Sequence, residues 1–205
     1  MPKVSAEHAA ARRRQIIDAA YRCFARKGFH QATMRDIYEE AGLSPGAVYH
    51  YFDSKHSIIA ASFDFDYERT RDLVAAAAAS ADPLAALTDL LDFLFAGLKS
   101  AAELQAPSVN VQGWGEALVN PPLRETVQSV LGVYREAAIR IVRKAQAKGE
   151  IDGEIDAAAF ANTLLSLYYG LELQLALDPQ TDVDGYAQAV KLLLKNGMKT
   201  VTSMT

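Results

Sequence analysis

The chain has 205 residues, half of which are apolar, and a net charge of −4. This length and apolar content are enough to bury a substantial core, so we expect a folded chain and not a disordered one. The single cysteine, Cys23, cannot form an internal disulfide, and the chain has no signal-like segment and no apolar run long enough to cross a bilayer. We therefore expect a cytoplasmic protein that makes no use of a membrane.

The charges are distributed unevenly along the chain. Residues 1–60 carry nine Lys or Arg and six Asp or Glu, whereas residues 61–205 carry twelve and nineteen. A basic first part on an acidic remainder is typical of a protein that meets nucleic acid through one end. Uneven charge without a function is the alternative, and the motifs in the basic part decide between the two.

Apolar residues recur at helical spacing in nearly every segment, and no segment alternates as a half-buried strand would. The chain is therefore predicted to be all-α, with about nine helices and no separate linker. Eight of them are expected near residues 7–27, 34–41, 45–52, 55–79, 83–98, 123–148, 156–176 and 182–201, with a short helix at most between residues 105 and 122.

Capping residues delimit the short helices near the N-terminus. Thr33 offers an N-cap, with Asp36 three residues later as an imperfect capping box, and Gly42 stops the second helix. Ser44 is the next N-cap, and Pro45 occupies the first helical position, where its missing N–H costs nothing. Two short helices around a tight turn predict a helix-turn-helix over about residues 33–52, whose second helix enters the major groove of DNA.

The third helix has residue types that suit contact with DNA. Its small residues at positions 46 and 47 allow close approach to base edges. Val48 and Phe52, one turn apart, are the predicted core contacts. The polar tips of Tyr49, His50 and Tyr51 would then face the duplex.

The runs Gly28–Ile37 and Ala41–Lys55 resemble the N-terminal domain of the TetR family of repressors, over about residues 10–70. The resemblance implies phosphate contacts from Thr33, Tyr49 and Lys55, base contacts from residues 46 and 47, and a homodimerising effector domain in residues 71–205. Arg35 either reaches a phosphate or pairs with Glu39, and Arg12 to Arg14 either contact the DNA backbone or form a solvated helix face. The residues expected at DNA are Thr33, Arg35, Ser44, Pro45, Gly46, Ala47, Tyr49, His50, Tyr51 and Lys55.

An enzyme is the main competing class of function. All four histidines lie within the first 56 residues and the only cysteine is Cys23, so the remainder of the chain offers neither residue type for nucleophilic catalysis or metal binding. No glycine-rich phosphate loop is present. We therefore expect no catalytic residue, no metal site and no cofactor.

The last two predicted helices carry more apolar surface than one small bundle needs. Pairing of these helices between two chains would form a four-helix interface, with a monomeric core as the alternative. The sequence thus predicts a homodimer that binds a palindromic operator in double-stranded DNA. The residues expected at the dimer interface are Leu164, Leu171, Val190, Leu193, Leu194 and Gly197.

Aromatic and amide side chains near the glycine-rich segment predict a ligand site. Trp114 lies between two glycines, where flexible backbone would let the indole move with a bound molecule. The sequence therefore predicts a repressor controlled by a small, largely apolar effector, and a dimeric DNA-binding protein without an effector is the alternative. The residues expected at the ligand are Phe93, Gln112, Trp114, Tyr134, Asn162 and Tyr168.

Overall fold

The computed structural model describes residues 6–102 and 105–197, including their side chains except at positions 6, 64–69, 196 and 197. These residues form helices joined by turns and loops and contain no strand, which confirms the all-α prediction. None of the described helices is both long and apolar enough to span a membrane. The helices are α1 (Ala6–Gln31), α2 (Met34–Ala41), α3 (Pro45–Tyr49), α4 (Lys55–Ala79), α5 (Pro83–Ala102), α6 (Ala106–Val119), α7 (Pro121–Ala147), α8 (Ala157–Leu177) and α9 (Val183–Gly197).

The predicted caps are present in the structure. Helix α1 is interrupted at Gly28, whose φ of 77° is readily adopted only by glycine. The Thr33 hydroxyl accepts from the Asp36 N–H, and the Asp36 carboxylate accepts from the Thr33 N–H, so the capping box is complete. Gly42 ends α2 in the left-handed region with a φ of 65°. The Ser44 hydroxyl accepts from the N–H of residue 47 at the start of α3.

Helix α3 is shorter than the two turns predicted, because it ends at Tyr49. The N–H groups of Tyr51 and Phe52 both donate to the carbonyl of Val48, which closes a tight turn in place of a further helical turn. This turn places Phe52 in the apolar core, where the residue is 3% exposed. Burial of Val48 and Phe52 confirms the two predicted core residues.

Helix α6 corrects the prediction of a short helix at most, since it has 14 residues. Gly113, inside this helix, lies at a close contact with α4. A Cβ on Gly113 would lie 3.1 Å from Ile59 Cγ1 and 3.1 Å from Phe63 Cζ. The glycine therefore allows the two helices to approach each other. Trp114, between Gly113 and Gly115, lies within this helix.

The two larger of three apolar clusters organise the packing of the described residues. We call α1, α2, α3 and residues 55–62 of α4 the head, and α5 to α9 with residues 70–79 of α4 the body. One cluster joins the head to α6 and α7, and it includes the buried Cys23. The second lies within the body, between α4, α5, α7, α8 and α9. The head is therefore held directly against the body, without a linker.

Candidate nucleic-acid interface

One face of α3 is open to solvent while the opposite face is buried. Val48 is fully buried, whereas Tyr49 is 52% exposed. A Cβ on Gly46 would meet no atom within 4 Å, so the backbone at the start of α3 is accessible to a large partner. Of the residues predicted to bind DNA on this segment, Ser44, Pro45, Gly46, Tyr49 and His50 are exposed, and Ala47 and Tyr51 are half-buried.

The start of α2 is also exposed, at Thr33 and Arg35. The Arg35 Nε lies 2.8 Å from Glu39 Oε1, so the pairing alternative is the one seen in the unbound protein. Both side chains are more than half exposed, at 75% and 55%, and a pair this exposed contributes little to stability. The guanidinium can therefore exchange Glu39 for a phosphate at small cost.

The arginines of α1 each have a partner within the head. Arg12 donates to Gln15, and Arg14 forms an ion pair with Asp18 at 2.7 Å. The guanidinium of Arg13 lies 4.6 Å from the centroid of the Phe52 ring. In the unbound protein this run therefore has partners within the head, as the solvated helix face would, and exposed pairs of this kind leave a contact with the DNA backbone open.

The capping box makes the stability of the folded protein depend on pH through Asp36. The Lys27 ammonium, 2.6 Å from Asp36 Oδ1, and the two donors of Thr33 lower the pKa of Asp36 from 3.8 to about 2. Because the folded state favours the ionised carboxylate, its stabilising effect is fully present above pH 3.8 and is lost as the pH falls through about 2.

We expect the difference in unfolding free energy between the wild type and Asp36→Asn to narrow as the pH falls from about 5 to about 2. Urea unfolding at a series of pH values measures it. Asp72→Asn is the matched control, because that carboxylate is 90% exposed in its pair with Arg71. A constant difference over this range, or an equal narrowing in the control, would contradict the assignment.

Lys55 is engaged within the head. Its ammonium donates to the carbonyls of Phe29, His30 and Ala32 at 2.6, 2.9 and 3.0 Å, and it lies 4.7 Å from the centroid of the Phe29 ring. An ammonium has three N–H donors, and all three are used here. A phosphate contact would break one of these bonds. In the unbound protein Lys55 therefore stabilises the packing of α4 against the end of α1, which we call its bracing position.

Lys55→Met separates bracing from the predicted phosphate contact. Loss of the hydrogen bonds is expected to lower the unfolding free energy by about 1.5–3 kcal/mol, the range for bonds to a charged group. A phosphate contact would instead lower the slope of log affinity against log salt by about 0.9 in DNA titrations. An altered slope with unchanged stability would restore the phosphate role.

A second set of polar contacts joins the head to α6. The Tyr21 hydroxyl donates to Asn110 Oδ1 at 2.7 Å, and Gln112 Oε1 accepts from the Phe29 N–H at 2.6 Å. The Glu116 carboxylate lies between the imidazoles of His30 and His56. Gln112, predicted as a ligand contact, is turned toward the head, whereas Asn110 and Glu116 were not among the predicted site residues. The sequence signal for Glu116 is that it is the only charged residue in α6.

The predicted ligand residues do not all come together. Trp114 and Tyr168 both pack edge-on against Tyr169, with ring centroids 5.5 and 5.4 Å apart. Burial, with a smaller contribution from Glu172, raises the pKa of Tyr169. The hydroxyl of Tyr134 is hydrogen-bonded to Thr70 in the same body. Phe93, which is 46% exposed, and Asn162 lie on the protomer surface, and their role as ligand contacts stays a prediction.

Some of the predicted dimer residues are exposed on the protomer, and others are buried in its core. Leu193 is 67% exposed, whereas Leu194 is half-buried. Leu164 and Leu171 of α8 and Val190 of α9 are buried in the body core of the protomer, so this part of the predicted interface is covered within one chain. Gly197 lies outside the residues whose side-chain surroundings are described. Exposed leucines that the interface prediction omitted lie at positions 173, 177 and 192.

Two short capped helices presenting an open face define a helix-turn-helix DNA-binding protein. Residues 16–61 match the model of bacterial regulatory proteins of the tetR family, and residues 83–196 match the C-terminal domain of BetI-type transcriptional repressors. The second match covers more than half of the chain. The chain therefore belongs to the TetR family of transcriptional regulators.

Individual relatives agree with this assignment. The chain is 31% identical over 197 residues to the HTH-type transcriptional regulator YfiR of Bacillus subtilis, covering 95% of each chain. It is 38% identical over 122 residues to the HTH-type transcriptional repressor Rv1474c of Mycobacterium tuberculosis, covering 57% of this chain and 63% of the relative. FadR of Bacillus subtilis, solved in complex with stearoyl-CoA, shares the fold with a TM-score of 0.70 at 21% identity, over 90% of this chain and 98% of FadR.

Proposed function

We propose that this TetR-family regulator is a sequence-specific repressor that binds a palindromic operator as a homodimer. In this proposal residues 10–70 form the DNA-binding domain, and residues 71–205 form the ligand-binding and dimerisation domain. The observation that carries it is the open face of α3, where Gly46 leaves the backbone accessible beside the exposed Tyr49.

The proposed contacts divide into positioning and reading. Thr33 and Tyr49 contact phosphates, which fixes the orientation of the head without reading sequence. Gly46 and Ala47 lie against base edges, where the methyl group of Ala47 packs on thymine. Because these two residues offer few hydrogen bonds to bases, the shape and deformability of the operator supply much of the specificity.

A small, largely apolar effector is proposed for the body. The aromatic side chains of Trp114, Tyr168 and Tyr169, with the hydroxyl of Tyr134, supply apolar surface and a few hydrogen-bonding tips. FadR shows that a protein of this fold holds a fatty acyl thioester. An effector controls DNA binding only if it has different affinities for two spacings of the heads.

Operator selection from random duplexes, followed by anisotropy titrations of the selected and a scrambled duplex, tests the DNA-binding proposal. We expect the selected site to bind at least about a thousandfold more tightly at physiological salt. Equal affinity for both duplexes would contradict a sequence-specific regulator.

Emission from Trp114, the only tryptophan, tests the effector proposal. It is followed during titration with small apolar compounds, stearoyl-CoA among them, and operator affinity is measured in parallel. We expect one compound to change both signals. If none alters operator affinity, the alternative of a dimeric DNA-binding protein without an effector replaces this part of the proposal.

A further inference from the structure

A cleft of about 490 Å³ lies at the junction of the head and α6. It opens where the end of α1 faces the C-terminal half of α6. The head and α6 are in contact along the walls of this cleft, because the Phe29 N–H donates to Gln112 and His30 pairs with Glu116. The residues that line it are Phe29, His30, Gln112, Gly115, Glu116 and Val119.

Glu116 connects two segments of the head across this junction. Its Oε1 lies 3.0 Å from His30 Nε2 at the end of α1, and its Oε2 lies 3.2 Å from His56 Nε2 in the first turn of α4. The side chain of Glu116 is 10% exposed, whereas that of His30 is 86% exposed. A carboxylate this buried is stable only with hydrogen-bond donors, and both recorded donors come from the head.

The position of Glu116 on α6 is fixed from the body side. The Arg124 guanidinium of α7 donates to the carbonyls of Ala117 and Leu118, which follow Glu116 directly. Nearer the start of α6, the Asn110 amide donates to Glu172 in α8 at 2.7 Å. A displacement of α6 within the body would therefore carry the Glu116 carboxylate with it.

We propose that Glu116 is a positioning residue that holds the DNA-binding head in its operator-competent orientation through His30 and His56. The inference rests on the proposed function as an operator-binding dimer. A dimer reads half-sites about one helical turn, 34–36 Å, apart, so a head free to turn on the body spends less time at the required spacing. The apparent affinity then falls in proportion to the competent fraction.

The test compares Glu116→Ala with Glu116→Gln, which keeps an amide able to donate to and accept from the two imidazoles. Hydrogen exchange at the Phe29 amide reports the junction directly, because this N–H donates to Gln112 of α6. Glu125→Ala, which removes an exposed carboxylate from α7, is the matched control. We expect about a tenfold loss of protection at Phe29 in Glu116→Ala, and little change in Glu116→Gln and in the control.

Operator affinity is measured on the same variants, with a loss of about tenfold expected only for Glu116→Ala. His30→Ala, alone and combined with Glu116→Ala, completes a double-mutant cycle. If the residues act as one contact, the double variant loses little more than Glu116→Ala. Additive losses, an equal loss in Glu116→Gln, or operator binding that is unchanged or tighter in Glu116→Ala would overturn the proposal.

The exchange measurement needs no DNA, so the inference and the proposed function fail in different ways. If the wild type does not bind any operator selectively, the proposed function is wrong, whatever the exchange data give. If the wild type binds its operator but Glu116→Ala exchanges at Phe29 like the wild type, the proposed role of Glu116 is wrong and the repressor function stands.

Discussion

Replacement of Phe52 by alanine is expected to lower the free energy of unfolding by about 3–5 kcal/mol, the usual cost of truncating a buried aromatic residue. Phe52 is 3% exposed and packs in the cluster that joins the head to α6 and α7. The truncation also removes the ring under the Arg13 guanidinium. A loss this large is a substantial part of the stability of an ordinary domain, so operator binding is expected to fail through unfolding of the head.

Tyr49→Ala is the control for this variant, since Tyr49 is another aromatic residue of the same segment but is 52% exposed. It is expected to change the unfolding free energy by no more than about 0.5 kcal/mol. Operator affinity should nevertheless fall by a similar factor for all sequences, because the contact proposed for Tyr49 is to a phosphate. Urea unfolding followed by circular dichroism, with anisotropy titrations, measures both quantities. Similar stability losses in the two variants would contradict the assignment of buried and open faces.

The head could be predicted closely from the sequence because local interactions determine its elements. Thr33, Gly42 and Ser44 each act within three or four residues of their own position, so their capping roles follow from residue type and spacing. The burial of Val48 and Phe52 follows from their separation by one helical turn. The end of α3 at Tyr49 did not follow, because it depends on the tight turn that places Phe52 in the core.

The body was less predictable because its determinants are contacts between distant segments. Gly113 lies in the segment where the sequence predicts a short helix at most. In the structure it allows α6 to approach Ile59 of α4, 54 positions earlier in the chain. The broad apolar surface of α8 indicated a dimer interface, but packing against α5, α7 and α9 within one protomer accounts for Leu164 and Leu171. Periodicity identifies an apolar face and does not say which partner covers it.

The candidate site shows the same division. Exposure of the residues proposed to bind DNA follows from the helix-turn-helix pattern, whereas the position of Lys55 depends on three carbonyls more than 20 residues away. The contact of Glu116 with His30 and His56 joins positions separated by 86 and 60 residues. No spacing rule predicts such a contact from one sequence.

Leu193→Glu is expected to convert the proposed dimer into a folded monomer. Leu193 is 67% exposed on α9, and Leu177 of α8 is 79% exposed, so this apolar surface is not covered within the protomer. A charge at a dimer interface would be buried without a partner, whereas in the monomer it lies in water. Sedimentation velocity measures the oligomeric state, and circular dichroism checks that the variant is folded.

Leu118→Glu is the matched control, because Leu118 is 73% exposed but lies at the end of α6, outside α8 and α9. It should remain a dimer. A monomer that binds one half-site loses the gain from linking two heads, so Leu193→Glu is expected to weaken operator binding by about 10²–10⁴-fold. A monomeric wild type would contradict the dimer itself. A dimeric Leu193→Glu would move the interface away from this surface, and dissociation caused by both variants would show that the effect is not specific to α9.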